Sequence, residues 1–125
     1  MTDIAALIER LEKASGADRQ LDWEIATKVM CMKPAEGNQP DWTLAMAYDG
    51  YAEDALRPTP YYTASIDSAL SLLPETPHIT ALKIERDPAE YGKQWHVVYR
   101  HRHFGHASTP AIAICIACLR ARSAI

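Results

Sequence analysis

The sequence predicts an α+β fold, a three-layer α-β-α sandwich around a small antiparallel sheet in the order α-α-β-α-β-β-α. Three observations carry this. Apolar residues recur at helical spacing near the N-terminus. Large and small residues alternate over 42–48 and side-chain type alternates over 94–104. A nearly continuous apolar run, Ala111 to Leu119, follows a Thr109-Pro110 helix start. The 125 residues suffice for one core, so a single domain over 1–125 is expected.

Each element has a local cause. Thr2 can cap a helix in which Ile4, Leu7, Ile8 and Leu11 form one apolar stripe, with Gly16 as a stop just beyond it. Asp18 can cap a second helix carrying Leu21, Ile25, Val29 and Met32. Pro34 bounds that helix, because the residue before a proline is pushed out of the helical region. The stretch KPAEGNQPD reads as loop. Residues 42–48 read as a strand with Trp42, Leu44, Met46 and Tyr48 on one face. Asp49-Gly50 is a turn signal, and 51–60 lack periodicity and hold two prolines, so they read as a surface loop. Ser65 can cap a short helix, IDSALSLL.

Two strands follow, 78–86 anchored by Leu82 and Ile84, and 94–104, pairing as a hairpin. On the second, Trp95, Val97, Tyr99, His101 and His103 share one face; His96, Val98, Arg100 and Arg102 share the other. The final helix is apolar nearly all round and rich in Ala and Cys, which suits burial with close approach of its neighbours. Arg120 and Arg122 complement the negative end of its dipole.

Composition narrows the function classes. Apolar residues make up 48% and charged residues 23%, which excludes a disordered or collagenous chain. The longest apolar run has nine residues, too few to span a bilayer, and the N-terminal stretch lacks the basic n-region of a secretory signal. Net charge is −3, and residues 1–77 carry −7 against +4 for 78–125. An acidic surface disfavours nonspecific nucleic-acid binding, while the basic part leaves room for a local anion site. Three cysteines without a signal sequence fit a reducing cytoplasm. Cys115 and Cys118 form a CxxC pair in mid-helix, away from the exposed helix N-terminus that redox motifs use, so they read as small buried hydrophobes.

The run LIERLEKASGADRQLDWEIA, the central YTASIDSALSLLPE and the C-terminal STPAIAICIACLRA occur in that order. Together they resemble the small phage and prophage proteins of the phage ABA-sandwich domain family, over roughly half the chain. The resemblance implies an α-β-α sandwich and a phage setting in the host cytoplasm, with counter-defence as a natural role. It implies no catalytic residues.

Three groups of residues are candidate sites. Arg100 and Arg102, joined by Lys83 or Arg86 from the pairing strand, can hold phosphate or carboxylate in a bidentate way; a solvated strand face is the commoner setting for such residues. Tyr51, Tyr61 and Tyr62 lie in the loop-rich region and suit a binding surface, or they cover the core. His101 and His103, two apart on one strand face, with His106 from the following loop, can reach one metal ion; a polar strand end explains them too. There is no GxSxG, HExxH or glycine-rich phosphate loop, so catalysis has little support in the sequence and no cofactor is expected.

These readings support a non-enzymatic binding protein that occludes a host protein or sequesters a small anionic, nucleotide-like ligand, in a pocket shared between subunits if it oligomerises. A histidine-based metalloprotein or hydrolase and a phage assembly protein are the alternatives.

Overall fold

A computed structural model describes residues 2–31, 33–34, 43–45, 56–73, 82–86, 95–100 and 102–123, with side chains at 4–31, 59–73, 82–86, 95–100 and 102–123. Helix α1 (Thr2–Lys13) is followed by α2 (Arg19–Glu24), which runs into a π-helical turn, Ile25–Val29. Strands β1 (Lys33–Pro34), β2 (Thr43–Ala45) and β3 (Leu56–Pro58) form one three-stranded antiparallel sheet. After α3 (Ile66–Leu70), strands β4 (Leu82–Arg86), β5 (Trp95–Tyr99) and β6 (His103–Ala107) form a second antiparallel sheet in chain order. Helix α4 (Pro110–Ser123) closes the fold. The α+β class holds and the expected order is roughly matched, with short extra strands around β2 and a further strand, β6.

Capping explains where the helices begin. The Asp18 carboxylate accepts from the N–H groups of Gln20 and Leu21 at 2.8 and 3.2 Å. Ser65 Oγ accepts from Ser68 N, and Thr109 Oγ1 accepts from Ile112 N. The second helix stops earlier than Pro34 suggests. The i→i+5 bond from Met30 N to Ile25 O closes its last turn, and Cys31 then turns left-handed at φ 56°.

Helix α4 is the centre of the molecule. Every residue from Ala111 to Leu119 is buried. One side packs on β5 and β6, and α1 and α3 pack on the others, so the layers run sheet, α4, then α1 and α3. Ile112, Ile114, Ile116 and Leu119 are fully buried; each contributes ~1.5–3 kcal/mol. The approach to β6 is close because Gly105 faces the Ala113 and Ala117 backbone. Arg120 fixes the far end, donating to Phe104 O at 2.6 Å and pairing with Glu12 at 2.9 Å; Arg122 donates to Leu72 O.

The inner face of the second sheet carries Val97, Tyr99 and Ala107, all buried. α4 covers β5 and β6 and leaves β4 at the rim, so Ile84, expected as an apolar anchor, is 39% exposed. The outer face carries Lys83, Glu85, His96, Val98, Phe104 and His106. No helix among the described residues is long and apolar enough to cross a membrane.

Candidate functional site

The expected strand 94–104 is two strands. β5 ends at Tyr99, β6 begins at His103 directly opposite it, and residues 100–102 make the connection. Arg102 N donates to Tyr99 O at 3.3 Å, and Arg100 adopts φ 55°. Arg100 and Arg102 therefore stand at an exposed hairpin tip, not on a strand face. The Arg100 guanidinium lies 5.3 Å from the centre of the Tyr99 ring. The Tyr99 hydroxyl is buried and has no hydrogen-bond partner among the described residues.

His103 registers the charge of this tip. Burial, then Arg102, then Arg100, hold its imidazole below the ordinary value. A left-handed conformation in a residue other than Gly, Asn or Asp costs roughly 1–2 kcal/mol. Such outliers gather where a side chain has a task. A pair of exposed guanidinium groups at one hairpin tip suits an oxyanion, which arginine can hold in a bidentate way.

Arg86 does not join them. It is paired with Trp95 at the opposite end of β5, stacking at 5.9 Å on that ring. Four residues of strand separate the two ends, about 13 Å. Lys83, another cation of β4, pairs with Glu85 at 2.9 Å.

The histidines also divide. β6 continues through His106 to Ala107, so His103 faces inward beside Tyr99 and His106 faces outward. Residues three apart on one strand point to opposite faces, and these two cannot share a metal ion. His101 lies outside the described residues. Among the described residues no group of three or more ligating side chains is placed to hold a metal. His106 instead stacks on His96, with ring centres 4.2 Å apart.

Tyr62, expected at a binding surface, is 1% exposed and belongs to the core. Tyr61 is exposed and lies beneath Arg19, whose guanidinium is 3.8 Å from the ring centre. Tyr51, Trp42 and Tyr48 lie outside the described residues.

Around Arg19 is a polar network that the sequence reading did not find. Asp22 is fully buried and accepts from Thr63 N at 2.8 Å, Thr63 Oγ1 at 2.7 Å and Arg19 at 2.7 Å. Arg19 also donates to Thr59 O and Pro60 O. The network staples the start of α2 to residues 59–63. Its carboxylate is fully committed to donors, which marks it as structural.

The cysteines behave as small hydrophobes. Burial pushes the Cys115 thiol well above its ordinary range, and its Sγ donates to Tyr62 O at 3.2 Å. Burial pushes Cys118 up to about 12, partly opposed by Arg122. Neither is poised as a nucleophile. Between α1 and α2 lies a shallow cleft of about 240 Å³ lined by Arg10, Lys13, Ala14, Asp18 and Leu21. Its two cations are already paired with Glu24 and Glu9.

The hairpin tip is thus where charge, exposure and backbone strain coincide. No family description, no curated protein and no solved structure matches the chain.

Proposed function

We propose that the chain is a non-catalytic binding protein that captures a small phosphate-bearing anion at the β5–β6 hairpin tip. One observation carries this: two exposed arginines are the first and last residues of the three-residue connection, Arg100 is held left-handed, and after burial both lower His103. The phage setting, host cytoplasm and counter-defence role belong to the same proposal. They rest on the resemblance of the N-terminal, central and C-terminal runs.

Charge-assisted hydrogen bonds contribute ~1.5–3 kcal/mol each. Arg100→Ala or Arg102→Ala should therefore weaken binding roughly 10–100-fold. Neither change touches the core, so the melting temperature should barely move. Titrations with inorganic phosphate, pyrophosphate and a nucleoside triphosphate, read by amide shifts at 99–103, measure this directly. Unchanged affinity in both variants overturns the proposal.

The sign of the pH effect is fixed. A bound anion offsets the arginine field, so the His103 imidazole rises towards its ordinary value on binding. Binding then takes up a proton, and affinity increases as pH falls through the imidazole range.

A further inference from the structure

Strand β4 is an edge whose charges are complementary to the same strand reversed. Among the described residues it pairs only with β5, and α4 leaves it at the rim. Its residues from Lys83 to Arg86 are exposed. An edge strand offers unpaired backbone N–H and C=O groups to any extended chain, and proteins ordinarily blunt it with proline, a bulge or charge. β4 has no proline, and its five residues pair one to one with β5, so it carries no bulge. Charge is the device present, and its arrangement selects a partner.

Lys83 and Glu85 point to the outer face, one on either side of Ile84. Consider a second β4 laid antiparallel, with the two-fold axis through Ile84. Lys83 then stands opposite Glu85 of the second copy, and Glu85 opposite its Lys83. The existing Lys83–Glu85 pair at 2.9 Å becomes half of a ring of four charges alternating in sign, so no contact is given up. On the inner face Ile84 meets Ile84, and Leu82 meets the aliphatic stem of Arg86. Ile84, left 39% exposed at the rim, is thereby covered. The register is specific. Moving the axis one residue, to Lys83 or to Glu85, sets like charges directly opposite each other, which is destabilising. An axis between residues turns the inner face of one sheet outward.

We propose that two copies of the chain associate through β4, joining their β4–β6 sheets into one six-stranded antiparallel sheet centred on Ile84. A five-residue ladder buries less than a standard interface, so the dimer is a weak one, formed at micromolar to millimolar concentration. It does not depend on the arginine tip.

Sedimentation equilibrium of the full chain carrying Cys31→Ser, which removes the exposed thiol and its disulfides, tests this. Expected is a monomer–dimer equilibrium, with concentration-dependent amide shifts at 82–86 and none at 103–107, the other edge. Lys83→Glu and Glu85→Lys should each weaken the dimer at least roughly fivefold, because each sets two like-charged pairs across the axis. An equimolar mixture of those two variants should dimerise as the parent does, since both pairs across the axis are again of opposite sign. Unfolding cannot imitate that recovery, and circular dichroism checks each variant separately. A chain still monomeric at about 1 mM leaves the edge to another protein's extended segment and overturns the second copy. A dimer that neither substitution weakens, variants that stay apart on mixing, or shifts confined to 103–107 overturn it equally.

Discussion

Gly105→Ala tests the packing that holds the molecule together. Gly105 sits on β6, paired with Val97, and faces α4. A Cβ built on it lies 2.1 Å from Ala113 O, 3.0 Å from Ala117 N and 3.1 Å from Ala113 C. Ordinary contact begins near 3.4 Å, so α4 must retreat by about 1.3 Å. The obstructing atoms are backbone and cannot rotate aside. α1 and α3 block the retreat, and Arg120 and Arg122 tether the helix to Phe104, Glu12 and Leu72. A gap of that size between α4 and the sheet removes a large part of the dispersion energy of every residue along it. Overpacking ordinarily costs ~1–3 kcal/mol. With backbone on both sides of the clash, the loss should be about 3 kcal/mol or more, even after the ~0.4–1 kcal/mol that Gly→Ala gains through the unfolded chain. Urea unfolding followed by tryptophan fluorescence measures it. Gly16→Ala is the control, since nothing lies within 4 Å of its added Cβ. A Gly105→Ala midpoint within 1 kcal/mol of the parent, at an unchanged m-value, would falsify the close packing of α4 on β6.

Other outcomes follow from the same contacts. Asp22→Ala strands the buried Thr63 N–H, leaves the Thr63 hydroxyl only Asp18 O as acceptor, and takes the carboxylate from Arg19; it should cost about 3–5 kcal/mol by thermal or urea unfolding. Burial raises the Glu24 carboxyl, and Arg10 and Lys28 more than offset this, leaving it below the ordinary 4.5. A depressed carboxylate stabilises the fold above its unfolded value and loses that contribution as pH falls through the folded one. Glu24→Gln should therefore lose about 1 kcal/mol at neutral pH and show a flatter acid unfolding profile below pH ~4.5, a difference that parallel acid titrations would reveal. Thr109→Ala removes the Ile112 cap bond of α4 and should cost about 1 kcal/mol, seen first as faster hydrogen exchange in the helix's opening turn.

Helix α4 was legible because every local signal agrees: a capping threonine, proline in the first turn, and an apolar run on all sides. The hairpin was not. Alternation continues unbroken from Trp95 through His103, and no Gly, Asn or Pro marks the turn at Arg100. A period of two read through that turn fuses β5 with β6. It moves both arginines onto a strand face and leaves His106 in a loop. The His96–His106 stack depends on strand register, which appears only once the turn is located. Asp22 lay hidden for a different reason. Its partner Thr63 is 41 residues away, and nothing near either residue announces the contact. Tyr61 and Tyr62 are neighbours of one type, and only tertiary packing decides which is buried.

The three thiols give the chain an internal clock. Cys31 is exposed, whereas Cys115 and Cys118 lie in the fully enclosed stretch of α4. A thiol reagent therefore titrates one group at once. The other two become available only when the central helix parts from its surroundings, so the slow phase counts openings of the core under native conditions. A bound ligand or ion that favours the folded chain lengthens that phase by the factor 1 + L/Kd, L being its free concentration, when reclosing outpaces labelling. Occupancy of a distant surface site thereby becomes readable as elapsed time at the centre of the molecule.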